Sequence, residues 1–156
     1  MKTKTRTVLA IATVVIVAGV VAGFTRILDP VVGIPGGKLS GTEQRNPTEW
    51  NATLDVGTVQ LETRPDDPYS VNVWGVGIGQ HFYVATHAQG TGWSRNIDTD
   101  ANVRLRVGET IYPLKAVNVG DDAERQRVLD AYVRKYAADP EDMAVNAALI
   151  YRLDAR

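Results

Sequence analysis

The chain has no cysteine and only two histidines, His81 and His87, in 156 residues. Without thiols there is no disulfide, thiolate nucleophile, iron–sulfur cluster or Cys-based zinc site, and no lipid attachment through an N-terminal cysteine. Neither sign of charge dominates. Against 17 Lys and Arg stand 18 Asp and Glu, so bulk charge recruits neither nucleic acid nor an acidic partner. No internal repeat is visible. The length corresponds to one domain plus extensions, enough to bury a real core.

Acids are also missing from the first seven residues, which carry Lys2, Lys4 and Arg6. They precede "VLAIATVVIVAGVVAGF", Val8 to Phe24, an uncharged run of 17 residues. That length is at the lower limit for a bilayer core of about 30 Å. The spacing predicts a single N-terminal transmembrane helix over residues 1–25. The flanking cations place its N-terminus in the cytoplasm and the rest of the chain in an extracytoplasmic location. Val21-Ala22-Gly23 also suits signal-peptide cleavage, so whether the segment is removed stays open. Gly19 and Gly23 have the spacing that lets membrane helices approach closely, a pattern that often means nothing.

Residues 26–50 hold three prolines and four glycines with no sustained period. They read as a linker or an irregular wrap ending at Trp50, whose ring should pack the segment onto the domain. Residues 51–156 then read as mainly β with one or two helices. Val59, Leu61 and Thr63 alternate with polar neighbours, "RPDDPYS" is turn chemistry, and Val71 and Val73 alternate again. "GVGIG" breaks that strand, its glycines suiting a hairpin or a close backbone approach. "HFYVATH" is aromatic and β-branched. In "VRLRV", Val103, Leu105 and Val107 point inward and Arg104 and Arg106 outward. Gly108-Glu109 turns the chain into "TIYPLKAVNV", where Pro113 calls for an edge or a bulge. From Asp121 the period changes: Val128, Leu129, Tyr132, Val133 and Tyr136 form a helical stripe, Asp121 and Glu124 have cap spacing, and Asp139-Pro140 ends the run. "ALIYRLDAR" closes as a strand through Leu149, Tyr151 and Leu153. Short strands with a late helix make a small, mostly antiparallel barrel.

The stretch "THAQGTGWSRNIDTDANVRLRV" carries more. A strand ending in small polar residues leads through a Gly-containing loop to Trp93, Ser94, Arg95, Asn96 and Ile97, then to Val103 of the next strand. This line resembles the split β-barrel superfamily, which includes the pyridoxamine-phosphate-oxidase-like (FMN-binding-like) and the deazaflavin-dependent nitroreductase-like proteins. The resemblance spans roughly residues 54–154 and implies an oxidoreductase of a small organic substrate. It implies FMN or a deazaflavin as cofactor, held at a rim of Thr86, His87, Trp93, Ser94, Arg95 and Asn96. Two departures bear on that. The turn that reads like "GRKSG" in the deazaflavin reductases is "RPDDPYS" here, with Arg64 beside Asp66 and Asp67, and carboxylates repel a phosphate. An extracytoplasmic domain would also lack a supply of reduced cofactor. The alternative is a non-catalytic binding or structural module that has lost the cofactor site.

Each residue has a plainer reading beside the functional one. Arg95 and Asn96 could grip a phosphate, or Arg95 could be solvated while Asn96 bridges two elements. Trp93 could be a stacking platform or a core aromatic. His81 and His87 would lie on one strand face about 20 Å apart, too far to share a metal. A Ser94–His87 pair and His87 as a heme ligand are further readings. Asp66, Asp67, Asp98 and Asp100 lack calcium-loop spacing and suit turns and caps. Arg104 and Arg106 form an outward row, either a homodimer surface or a solvated face.

Overall fold

The computed structural model describes residues 28–53, 55–139 and 148–156. Val8–Phe24, with its anchor, cleavage and Gly19/Gly23 readings, lies outside them. Among the described residues no helix is long and apolar enough to cross a membrane.

Eight strands and two helices follow one another among the described residues. They are β1 (Thr42–Glu43), β2 (Val59–Thr63), β3 (Tyr69–Val73), β4 (Gly75–Ile78), β5 (His81–Thr86), α1 (Gly92–Thr99), β6 (Asn102–Val107), β7 (Thr110–Asn118), α2 (Asp122–Tyr136) and β8 (Leu149–Ala155). A short 3-10 turn, Asn51–Thr53, precedes β2. One sheet runs β3-β2-β6-β7-β8-β5-β4, antiparallel throughout, with β1 added in parallel to β7. This is a half-barrel sheet with two helices, the split-barrel arrangement.

Two cores explain the alternation. Leu61, Phe82, Val84, Val103, Leu105, Leu114, Tyr151 and Leu153 fill the barrel together with Trp50, Trp93 and Ile97. On the opposite face, Val76, Tyr83, Val119 and Ile150 pack under Val128, Leu129 and Tyr132 of α2. Helix α2 begins as its sequence requires, with the Asp121 carboxylate accepting from Glu124 N at 2.7 Å. It ends at Tyr136, where Ala137 turns left-handed at φ 49°; Pro140 lies outside the described residues.

The strand through Val71 and Val73 does end before the glycine run, and β3 and β4 lie at opposite ends of the sheet order. "GVGI" is itself β4, paired to β5 across a Gly79-Gln80 turn. Its glycines admit neighbours that a side chain would exclude. A Cβ on Gly75 would enter the Phe82 ring, and one on Gly77 would lie 2.6 Å from Trp50 Cβ and 2.9 Å from Thr53 Oγ1. Pro113 lies in a strand interior to the sheet order, but at a gap in its pairing. β1 ends opposite Ile111 and β8 ends opposite Leu114, so among the described residues no strand lies on that side of Pro113 to receive an N–H.

The described part of the Pro/Gly-rich segment, residues 28–50, wraps the barrel. Leu39 and Trp50 are each 1% exposed, and Trp50 N donates to Gly79 O at 2.8 Å. This wrap also corrects the outward arginine row. Arg104 reaches Glu62, which is itself buried, and Arg106 donates to Ser40 O at 2.8 Å and Asp29 at 2.6 Å. Both guanidiniums lie beneath chain 28–43 rather than in a solvated or dimer-forming row.

Candidate functional site

The corner singled out by sequence joins β5, the 87–91 loop and α1 to the β2–β3 turn. Thr86 closes β5, half-buried, and pairs with Leu149. His87 is exposed and begins a tight turn in which Gly90 N donates to His87 O at 2.9 Å, with Gly90 at φ 68°. Thr91 caps α1. Its N–H donates to Ser94 Oγ at 2.8 Å, the return half of a capping box, while the Thr91 hydroxyl is buried with no partner among the described residues.

Within α1 the expected rim residues part company. Trp93 is 5% exposed and meets Tyr151 edge to face, ring centroids 5.6 Å apart. Ser94 is buried; burial is the main cause that raises the Tyr151 phenol above its usual range, and a hydrogen bond with Ser94 opposes it. Asn96 Nδ2 donates to Thr63 Oγ1 at 3.0 Å, tying α1 to β2. Arg95 and His87 are exposed. Trp93, Ser94 and Asn96 are therefore engaged in packing and internal bonds, while His87 and Arg95 face solvent.

Opposite α1 stands the β2–β3 turn, the "RPDDPYS" segment compared above with the family's "GRKSG" turn. Arg64 sits at φ 55°, a region that costs a non-glycine residue roughly 1–2 kcal/mol. Its guanidinium lies over the Tyr69 ring, 5.6 Å from the centroid, and pairs with Asp67 at 3.1 Å. Arg64 Nε is buried without a partner among the described residues. Gly92 lets α1 come close: a Cβ there would be 3.0 Å from the Tyr69 hydroxyl. The Tyr69–Gly92 fit was the available signal, a glycine opening a helix beside an aromatic strand residue, but pairing them needs the fold.

These observations test a flavin or deazaflavin phosphate at the corner. The turn's one cation is already paired with a carboxylate, and Asp66 beside it is exposed. The helix offers Arg95 alone as a cation. The residues present do not fit a phosphate grip of the expected kind.

Elsewhere a polar chain runs across the outer face of β5 and β8. His81 Nδ1 is 3.2 Å from Asp154, Arg152 joins Asp154 at 2.8 Å to Glu124 at 3.1 Å, and Tyr83 donates to Glu124 at 2.9 Å. Burial, then the bond to Glu124, pushes the Tyr83 phenol up to about 12. His81 and Asp154 meet by cross-strand register over a long sequence gap, which no local pattern reveals. A groove of 430 Å³ between β4 and α2 is lined by Asn51, Ile78, Ala131, Arg134 and Lys135 among others. Lys135 Nζ donates to Thr53 O and Gly75 O at 3.0 and 2.8 Å, and burial lowers its pKa. Among the described residues no three His, Asp or Glu side chains gather as a metal site.

No protein-family model and no curated protein matches the chain. Solved structures do. A candidate pyridoxamine 5′-phosphate oxidase from Listeria innocua is 12% identical, with a TM-score of 0.52 over 65% of this chain and 86% of that one. The heme storage protein HutZ of Vibrio cholerae is 14% identical, with a TM-score of 0.53 over 65% and 83%. A domain-swapped dimer is 14% identical, with a TM-score of 0.56 over 64% and 81%. The structural neighbours are thus the pyridoxamine-5′-phosphate-oxidase-like split barrels, and at these identities what is shared is the fold.

Proposed function

We propose that the chain is a membrane-tethered split-barrel binding module that has kept the barrel and lost the flavin-type site. The observation that carries this is the β2–β3 turn, where Arg64 is held by Asp67 at 3.1 Å beside exposed Asp66. A phosphate approaching there meets one neutralised cation and a free carboxylate, so attraction is lost before desolvation is counted. The structural use of Trp93, Ser94 and Asn96 supports the same reading. Neighbours of this fold are named for an oxidase and for heme storage, so the fold itself selects no chemistry.

The tether is the uncharged run Val8–Phe24 behind three cations, with the barrel on the extracytoplasmic side. Assembly as a homodimer is part of the proposal, supported by the domain-swapped dimer among the neighbours.

The deciding measurement is the absorbance spectrum of the full chain purified in detergent, followed by titration with FMN, deazaflavin and heme. A colourless protein with no saturable binding is expected. A stoichiometric chromophore that weakens on Arg95→Ala would overturn the reading in favour of a reductase. That second reading rests on two buried donors without partners at the corner, Arg64 Nε and Thr91 Oγ1.

A further inference from the structure

Four aliphatic side chains stand in solvent within seven residues. Leu28 is 55% exposed, Val31 57%, Val32 95% and Ile34 53%. Isolated exposed aliphatics need no explanation, but here they cluster on one tight turn, closed at Gly33 with φ 78°.

Much of the backbone flanking the tip of the turn is already paired. Val31 N donates to Ile34 O at 3.2 Å, and Ile34 N returns a bond to Val31 O at 3.0 Å. Gly37 N donates to Leu28 O, Gly36 exchanges both its backbone bonds with Ser70, and Pro30 O accepts from Asn72 Nδ2 at 2.9 Å. Pro30 and Pro35 have no N–H to satisfy. The only ionisable side chain from Leu28 to Gly37 is Asp29, whose carboxylate is held by Arg106 at 2.6 Å. An apolar surface whose flanking backbone is paired and whose one charge is neutralised costs little at a bilayer boundary, where headgroups and water still reach the Val32 and Gly33 peptide groups. The bonds to Ser70 and Asn72 of β3 also fix the turn to the barrel.

We propose that the Val31–Ile34 turn is a lipid-facing tip, seated at the headgroup–acyl boundary of a bilayer. The occupant follows from the chain itself. Only three residues separate Phe24, the end of the uncharged run, from Leu28. Even fully extended, that connection spans about 14 Å. If the run enters the bilayer, as the tether reading has it, the tip is confined to the membrane surface. The tip then sets which way the barrel faces, as the tether alone does not. The inference rests on the tether reading and adds a contact that a flexible leash would not make.

The test uses the full chain, whose lack of cysteine makes Val32→Cys a single attachment point for an environment-sensitive fluorophore. Val32 is almost wholly exposed, so the fold is not at risk; Ala123→Cys on the exposed side of α2 is the control. Both are reconstituted in phosphatidylcholine–phosphatidylglycerol vesicles. The expected result is co-sedimentation of both, with blue-shifted emission at position 32 alone, quenched by spin-labelled lipid. Co-sedimentation with an unshifted probe at 32 overturns the tip and leaves the tether standing. A chain that stays in the supernatant with an unshifted probe overturns both. A blue shift that lipid-borne quenchers do not touch places a second copy of the chain on the turn and overturns the lipid contact.

Discussion

Glu62→Ala is the perturbation that weighs the N-terminal wrap most directly. The Glu62 side chain is 3% exposed and holds two groups through three contacts: Leu39 N at 2.6 Å and Arg104 Nη1 at 2.8 and 3.0 Å. Truncation leaves a nearly buried guanidinium without its partner and a buried amide without an acceptor. Removing one member of a buried pair costs about 3–5 kcal/mol. Arg104 keeps 17% exposure and has Glu43 at 3.9 Å, which offsets part of that loss. We therefore expect about 3 kcal/mol, or roughly 10 °C in Tm for a domain of this size. Denaturant unfolding followed by tryptophan fluorescence reads it, since Trp50 and Trp93 are both buried. The midpoint should fall with the slope unchanged. Replacing both partners, Glu62→Leu with Arg104→Met, should recover most of the loss and give a coupling of about 2 kcal/mol. If Glu62→Ala and Arg104→Ala each cost less than about 0.5 kcal/mol, as ordinary surface changes do, the pair is solvated and the wrap is not part of the core.

Gly77→Ala should destabilise by about 1–3 kcal/mol, because its Cβ meets the Trp50 backbone, which cannot rotate away; the same unfolding assay measures it, and an unchanged midpoint would mean that the β4–Trp50 contact is looser than described. Tyr83 bears on alkaline stability. Its folded pKa of about 12 lies above the unfolded 10.0, so both states are protonated below pH 10 and stability is full there. Between pH 10 and 12 only the unfolded state releases this proton, and stability falls. Tyr83→Phe should make that limb shallower in a pH series of melts; an unaltered slope would remove Tyr83 from the linkage.

Much of the fold is written in local order. Alternation at Val59–Thr63 and Val103–Val107, the Gly108-Glu109 turn, and the Asp121 cap before an apolar stripe each depend on neighbours a few residues away. Hydrophobic period and turn chemistry report such neighbours directly. The resemblance carried by Trp93 to Ile97 and Val103 likewise pointed to the split barrel that the structural neighbours share.

What local order could not carry is which polar groups meet. Glu62 and Arg104 looked like solvent-side members of alternating strands, because period two separates faces and says nothing about what covers them. Chain 28–43 covers that face, and it has no period by which its docking could be foreseen. The glycines of "GVGI" announced a strand break and a close approach, but not that the Phe82 ring and the Trp50 backbone are what approach. At the corner, the sequence alone supplied residue types suited to a phosphate. The tertiary structure decided that Asn96 holds Thr63, Ser94 holds Thr91, and Arg64 holds Asp67. A side chain's chemistry is set by its composition, but its availability is set by partners, and those partners lie elsewhere along the chain.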